Sequence, residues 1–131
     1  MKNIFFVLVA ATLALTACGG KSTETSAPHL EISDPGKSIE VAAGSEFKII
    51  IESNPSTGYQ WKMVGELDES ILQFVSMDYR ADEPVLPGSG GADVWVFRAV
   101  TAGETKIVLG NYPPGQGEPA AQEVAFTISV K

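Results

Sequence analysis

From residue 29 onward almost every segment of the chain alternates apolar and polar positions with a period of two. That period marks strands with one buried face. "HLEIS" is a first short candidate. "KSIEVAAGSEFKIII" follows and breaks at "AAG", where Gly44 permits a turn. Phe47, Ile49 and Ile51 then share one face, and Lys48 and Glu52 the other. Near the C-terminus Val124, Phe126, Ile128 and Val130 face one way, and Ala125, Thr127 and Ser129 the other. The pattern predicts strong strands at 45–52, 60–64, 71–79, 92–101, 104–111 and 122–130. "GELDES" (65–70) is polar and fits one helical turn. "RADEPVLPGSGG" (80–91) holds two Pro and three Gly, which forbid a central strand.

Seven to eight short strands with turn signals roughly every 8–12 residues predict an all-β fold. An antiparallel β-sandwich of immunoglobulin-like type fits best, with a closed barrel as the second candidate. Trp61, just past a loop on the strand at 60–64, resembles the core Trp of such sandwiches. Successive antiparallel strands alternate direction, so alternate connections emerge at the same end. The long Gly/Pro-rich connections 53–59, 80–91 and 111–121 fall at one end, and the short "TAG" turn falls at the other. One end is trimmed and the other elaborated, as expected of loops that present a binding surface on a rigid scaffold.

The first residues read differently. Lys2 precedes an apolar run from Ile4 to Leu15, and no acid occurs before Glu24. A short apolar run behind a positive start predicts a secretory signal peptide over 1–17. The run is too short to span a bilayer, which needs about 20 residues. "LTAC", ending at Cys18, resembles a bacterial lipobox, which implies cleavage before Cys18 and a lipid on its thiol. Cys18 is the only Cys of the 131 residues. A lone Cys in an exported chain needs a partner or a modification. Gly/Ser/Thr-rich residues 18–28 then predict a flexible tether, leaving 29–131 as the folded domain. The expected location is the cell envelope, with Gly19 after the Cys resembling outer-membrane sorting where a cell has two membranes.

Charge narrows the partners. The chain carries a net charge of −7, and loss of Lys2 makes it −8, with eight basic against sixteen acidic side chains. Nucleic-acid binding wants a basic patch and is not expected. Catalysis is not expected either. The only His, His29, stands at the edge of the tether, so no Ser-His-Asp, Cys-His or zinc constellation lies inside the domain. Asp82, Glu83, Glu66, Asp68 and Glu69 could be imagined as acid/base pairs, but acids in polar loops are normally solvated. "GELDES" lacks the alternating oxygen ligands of a calcium loop. "PGSGG" lacks the Lys-Ser/Thr ending and the helix of a phosphate loop, and Pro55 disqualifies "NPS" as a glycosylation site. No cofactor or metal is expected, and a monomer is.

"NPSTGY", Asn54 to Tyr59, followed by Trp61, resembles the first loop of the chagasin-type inhibitors of papain-like cysteine peptidases, family I42. That family's loop reads Asn-Pro-Thr-Thr-Gly-Tyr or Phe, commonly with a Trp two residues on. "GSGG", Gly88, Ser89, Gly90 and Gly91, matches the family's Gly-x-Gly-Gly in the second loop. The third loop departs from the family's Arg-Pro-Trp or Arg-Pro-Phe. Beyond Tyr112, Pro114 takes the place of the family Pro, with Pro113 where Arg would stand and Gly115 where the aromatic would stand.

The resemblance implies a wedge that enters a peptidase cleft without covalent chemistry. Asn54, Pro55, Ser56, Thr57, Gly58 and Tyr59 would form its centre, with Gly88 to Gly91 and with Tyr112 and Pro114 on either side. Pro55 would stiffen the loop, Gly58 would close it at positive φ, and Asn54 would bond the backbone two residues on. Ser56 and Thr57 would offer hydroxyls, while Tyr59 and Trp61 held the loop base against the core. The altered third loop keeps a second reading open: a lipid-anchored sandwich that binds a different protein or an envelope component.

Overall fold

A computed structural model describes residues 30–131; the leader 1–17, Cys18, the tether 18–28 and His29 lie outside the described residues. Eight strands form two four-stranded sheets. They are β1 (Leu30–Ile32), β2 (Ile39–Val41), β3 (Glu46–Ser53), β4 (Gln60–Met63), β5 (Leu72–Ala81), β6 (Gly91–Ala99), β7 (Gly103–Tyr112) and β8 (Gln122–Val130). One sheet has the order β1-β3-β6-β5 and the other β2-β8-β7-β4. This is the immunoglobulin-like sandwich that the alternation predicts.

The pairing is not wholly antiparallel. β1 runs parallel to β3, and β2 parallel to β8. The cause lies in residues 33–45. Asp34-Pro35-Gly36 takes the chain out of the first sheet after only three residues, and the turn at Ala42–Ser45 brings it back. A segment that changes sheets twice cannot form a hairpin with its neighbour, so each piece pairs with whichever edge it meets. Ser45 fixes the second crossing, its hydroxyl donating to the Ala42 carbonyl at 2.5 Å.

The alternating positions meet between the sheets. Phe47, Ile49, Trp95, Phe97, Leu72, Ile107, Leu109, Phe126 and Ile128 are buried there, with Ile51 and Val124 packed against them. Phe47 and Phe97 are cross-strand partners whose rings stack at 5.8 Å. Each fully buried Phe or Ile contributes about 1.5–3 kcal/mol. Among the described residues the core runs from Ile32 to Val130, and it holds together without a disulfide.

Three local features differ from expectation. "GELDES" makes no helix beyond a single turn, which starts inside it at Asp68 and runs past its end, the Asp68 carbonyl accepting the Ile71 and Leu72 N–H groups at 3.0 and 2.9 Å. In β5 a bulge at Val75 shifts the register, so Phe74 and Met77 both face inward opposite Phe97 and Trp95. β5 reaches Ala81 and β6 begins at Gly91, which trims the second loop to 82–90.

Candidate functional site

Ser53 pairs with Gly91 and Ala81 with the same Gly91, so the loops after β3 and before β6 leave the first sheet side by side. Gln60 pairs with Tyr112, and Asn111 with Gln122, which puts the third loop beside the first on the other sheet. The strand registers thus gather the three long loops at one end.

The central loop is a tight 3₁₀ turn over Pro55–Thr57. Pro55 occupies its first turn, where a missing N–H costs nothing. The Thr57 and Gly58 N–H groups bond the Asn54 and Pro55 carbonyls at 3.1 and 3.0 Å. Gly58 closes the turn at φ +83, a conformation that disfavours any residue with a Cβ. Asn54 acts differently from the sequence expectation. Its Oδ1 accepts the Ser56 hydroxyl at 2.5 Å instead of a backbone N–H. The Thr57 hydroxyl donates to the Asn54 carbonyl at 2.6 Å. Both tip hydroxyls therefore spend their protons inside the loop, and the Thr57 oxygen also accepts the Tyr59 N–H at 3.4 Å. Pro55, Ser56 and Thr57 are all exposed.

The root of this loop is Trp61. It is buried, and its indole N–H donates to the Glu52 carbonyl at 2.9 Å, tying β4 to β3 across the sandwich. Tyr59 does not share that role. It stays 37% exposed, lining a cleft of about 620 Å³ with Ser53, Thr57, Trp61, Asp82 and Asn111. The sequence could not place Tyr59, because strand β4 begins only after it.

The second loop is closed at its base by the Asp82 N–H on the Gly90 carbonyl at 3.0 Å. Near its tip the Ser89 hydroxyl donates to the Leu86 carbonyl at 2.8 Å and accepts the Leu86 N–H at 3.1 Å. Gly88 turns the chain at φ +81. Gly91 is buried in β6, and a Cβ there would collide with the Arg80 carbonyl and the Tyr79 hydroxyl. It shapes the root of the loop and is not available at its surface. The most exposed large hydrophobic residues of the described chain are Val85 and Leu86, 69% and 61% open at this tip. Sequence reasoning passed over them, although two adjacent aliphatics in the Pro-flanked "PVLP" were the available signal.

The loops brace one another. Asn54 Nδ2 reaches the Gly88 carbonyl at 3.4 Å. On the other side, a Cβ added to Gly58 would lie 3.1 Å from Pro114 Cβ. Pro114 thus rests on the bare face of Gly58. Tyr112 is half-buried below, with Lys62 Nζ 5.6 Å from its ring centroid. Beneath the loops Asp93 is buried beside Tyr79 and Ile51. Burial pushes its carboxyl above the usual range, and a hydrogen bond with the Ser53 side chain works the other way. Among the described residues no group of three or more His, Cys, Asp or Glu is placed to hold a metal ion.

Fold and site together define a β-sandwich protein with three braced loops gathered at one end. The chain belongs to the chagasin family of peptidase inhibitors, I42, whose family model matches residues 40–130. Amoebiasin-1 of Entamoeba histolytica is 35% identical over 94 residues, covering 70% of this chain and 86% of that protein. The fold resembles that of the cysteine protease inhibitor EhICP2 from Entamoeba histolytica, with a TM-score of 0.65 at 19% identity over 78% of this chain and 95% of that one. It also resembles PbICP-C, solved in complex with falcipain-2, with a TM-score of 0.54 at 18% identity over 79% of this chain and 89% of that one.

Proposed function

We propose that this chain is a reversible, non-covalent inhibitor of papain-like cysteine peptidases, held at the cell envelope by a lipid on Cys18. The observation that carries the inhibitory mechanism is the bracing of three loops around the exposed Pro55–Thr57 tip. Such a tip is ordered before binding, so little conformational freedom is lost on association. The tip enters the active-site cleft and blocks it by occupancy. No peptide bond of the inhibitor need be cleaved, and no nucleophile or base is required of it. Val85 and Leu86 of the second loop supply apolar contact on one wall. Falcipain-2, the partner of the structural neighbour PbICP-C, supports a cysteine peptidase as the target class.

The third loop works differently from an arm that grips. With Pro113 and Gly115 in place of a cation and an aromatic, it carries neither of the residue types that most often dominate an interface. Pro114 instead backs the central loop at Gly58. The same departure supports the second reading, a related sandwich with a different protein or envelope target. Titration of papain or cathepsin L with the chain from Gly19 onward separates the two. Stoichiometric or micromolar inhibition is expected, and an unaffected peptidase at micromolar chain would overturn the first reading.

The lipid anchor rests on Lys2, the apolar run 4–15, "LTAC" and the lone Cys18. Two or three acyl chains at about 0.8 kcal/mol per buried CH₂ hold a domain firmly to a membrane. Gly19 favours the outer membrane in a two-membrane cell. Mass spectrometry of the N-terminal peptide from a bacterial membrane fraction should find an acylated Cys18, and an unmodified thiol would remove the anchor.

A further inference from the structure

A sandwich of two open sheets has four edges, and here they are unequal. β1 and β2 present three residues each and β4 four, whereas β5 presents ten. Short edges give a stranger little to pair with; long ones invite it. Between Ser76 and Ala81, past the bulge at Val75, β5 has no Pro and no inward-pointing charge to discourage pairing. Its inner side is apolar and open, with Phe74 and Met77 each 43% exposed and Tyr79 41%.

The free hydrogen-bonding groups can be assigned. The Asp82 N–H bonds Gly90, so Asp82 faces β6. Backbone direction alternates along a strand, so the N–H and C=O groups of Met77, Tyr79 and Ala81 point away from the sheet. We propose that β5 pairs with β5 of a second copy of this chain, antiparallel and centred on Tyr79. In that register Tyr79 lies opposite Tyr79 of the second copy and Met77 opposite its Ala81. Every outward residue then meets an outward residue, for about six main-chain hydrogen bonds.

Charge selects the same register. Asp78 lies opposite Arg80 of the second copy, and Arg80 opposite its Asp78. Both residues are exposed, and neither joins an ion pair among the described residues. The two-fold relation also brings both apolar faces, with their Met77 and Tyr79, onto one side of a continuous sheet. Past Ala81 the second copy runs beside residues 82–86, so the pair covers one flank of the second loop. The sequence by itself predicts a monomer, because nothing in it reveals that β5 lies at an edge.

Sedimentation equilibrium of the chain from Gly19 onward, from micromolar to millimolar, reads the association directly, and this test is independent of peptidase inhibition. A monomer–dimer equilibrium is expected. Asp78→Arg sets Arg against Arg, and Arg80→Asp sets Asp against Asp; each alone should weaken self-association about tenfold or more. The two single variants mixed together should associate with each other, since the mixed pair restores both opposite-charge contacts. Amide NMR shifts of Met77, Tyr79 and Ala81 should change with concentration. A wild-type chain that stays monomeric throughout, or a dimer indifferent to both reversals, would overturn the proposal.

Discussion

Replacing Gly58 by Ala places one methyl group between two loops and reads how firmly they brace each other. Two costs add. Ala must adopt φ +83, which costs about 1 kcal/mol for a residue with a Cβ. Its Cβ must also sit 3.1 Å from Pro114 Cβ and 3.3 Å from Pro114 Cγ, inside ordinary carbon contact. Overpacking of that kind adds about 1 kcal/mol where a surface loop can partly yield. Gly44 supplies the control. It has nearly the same φ, +84, with nothing within 4 Å of an added Cβ. Gly44→Ala should therefore lose about 1 kcal/mol and Gly58→Ala about 2. At this domain size the extra kcal/mol is roughly 4–8 °C in Tm. Inhibition should separate the pair more sharply: Gly44→Ala leaves it unchanged, while Gly58→Ala weakens it about tenfold by splaying the tip from its support. Pro114→Gly should remove most of the difference between the two Ala variants. Thermal denaturation and a peptidase titration on the same preparations suffice. Equal Tm losses at 44 and 58, together with unchanged inhibition at 58, would refute the bracing argument.

Other perturbations probe the remaining loops and the floor beneath them. Ser56→Asp combined with Thr57→Asp should weaken inhibition about a hundredfold or more by forcing charge into a narrow cleft, with a modest loss of Tm because both hydroxyl bonds to Asn54 disappear; equal inhibition by the double variant would take the central loop out of the mechanism. Val85→Ser with Leu86→Ser should raise the inhibition constant about tenfold with no loss of Tm, because both side chains stand in solvent in the free protein. Asp93→Asn should act through pH. Burial raises the folded carboxyl above its unfolded value of about 3.9, so the folded state holds its proton more tightly. Wild-type stability is then highest below the unfolded value and falls as pH rises through the folded one. The Asn variant should gain on wild type across that rise and lose its advantage toward pH 4, as Tm against pH would record; parallel curves would contradict the assignment.

The apolar alternation by itself determined that this chain makes strands and which face each strand buries. Period two leaves few choices, since a slip of one residue would turn Phe47 and Ile49 out to water. It also determined that the long loops share one end, because antiparallel order fixes direction. "NPSTGY" and "GSGG" marked two of those loops from residue types alone. Where the local pattern slips, tertiary structure decided. Between Phe74 and Met77 the phase breaks, and only pairing with β6 showed a bulge that keeps both residues inward. Gly91 belonged to a Gly-rich stretch until the Tyr79 ring and the Arg80 carbonyl placed it in the core. Contacts between residues far apart in the chain, such as Pro114 on Gly58 and Asn54 on Gly88, leave no local trace in composition or period. Edge position leaves none either. A strand's sequence fixes its faces, but whether its last row of N–H and C=O groups finds a neighbour depends on how all eight strands are ordered.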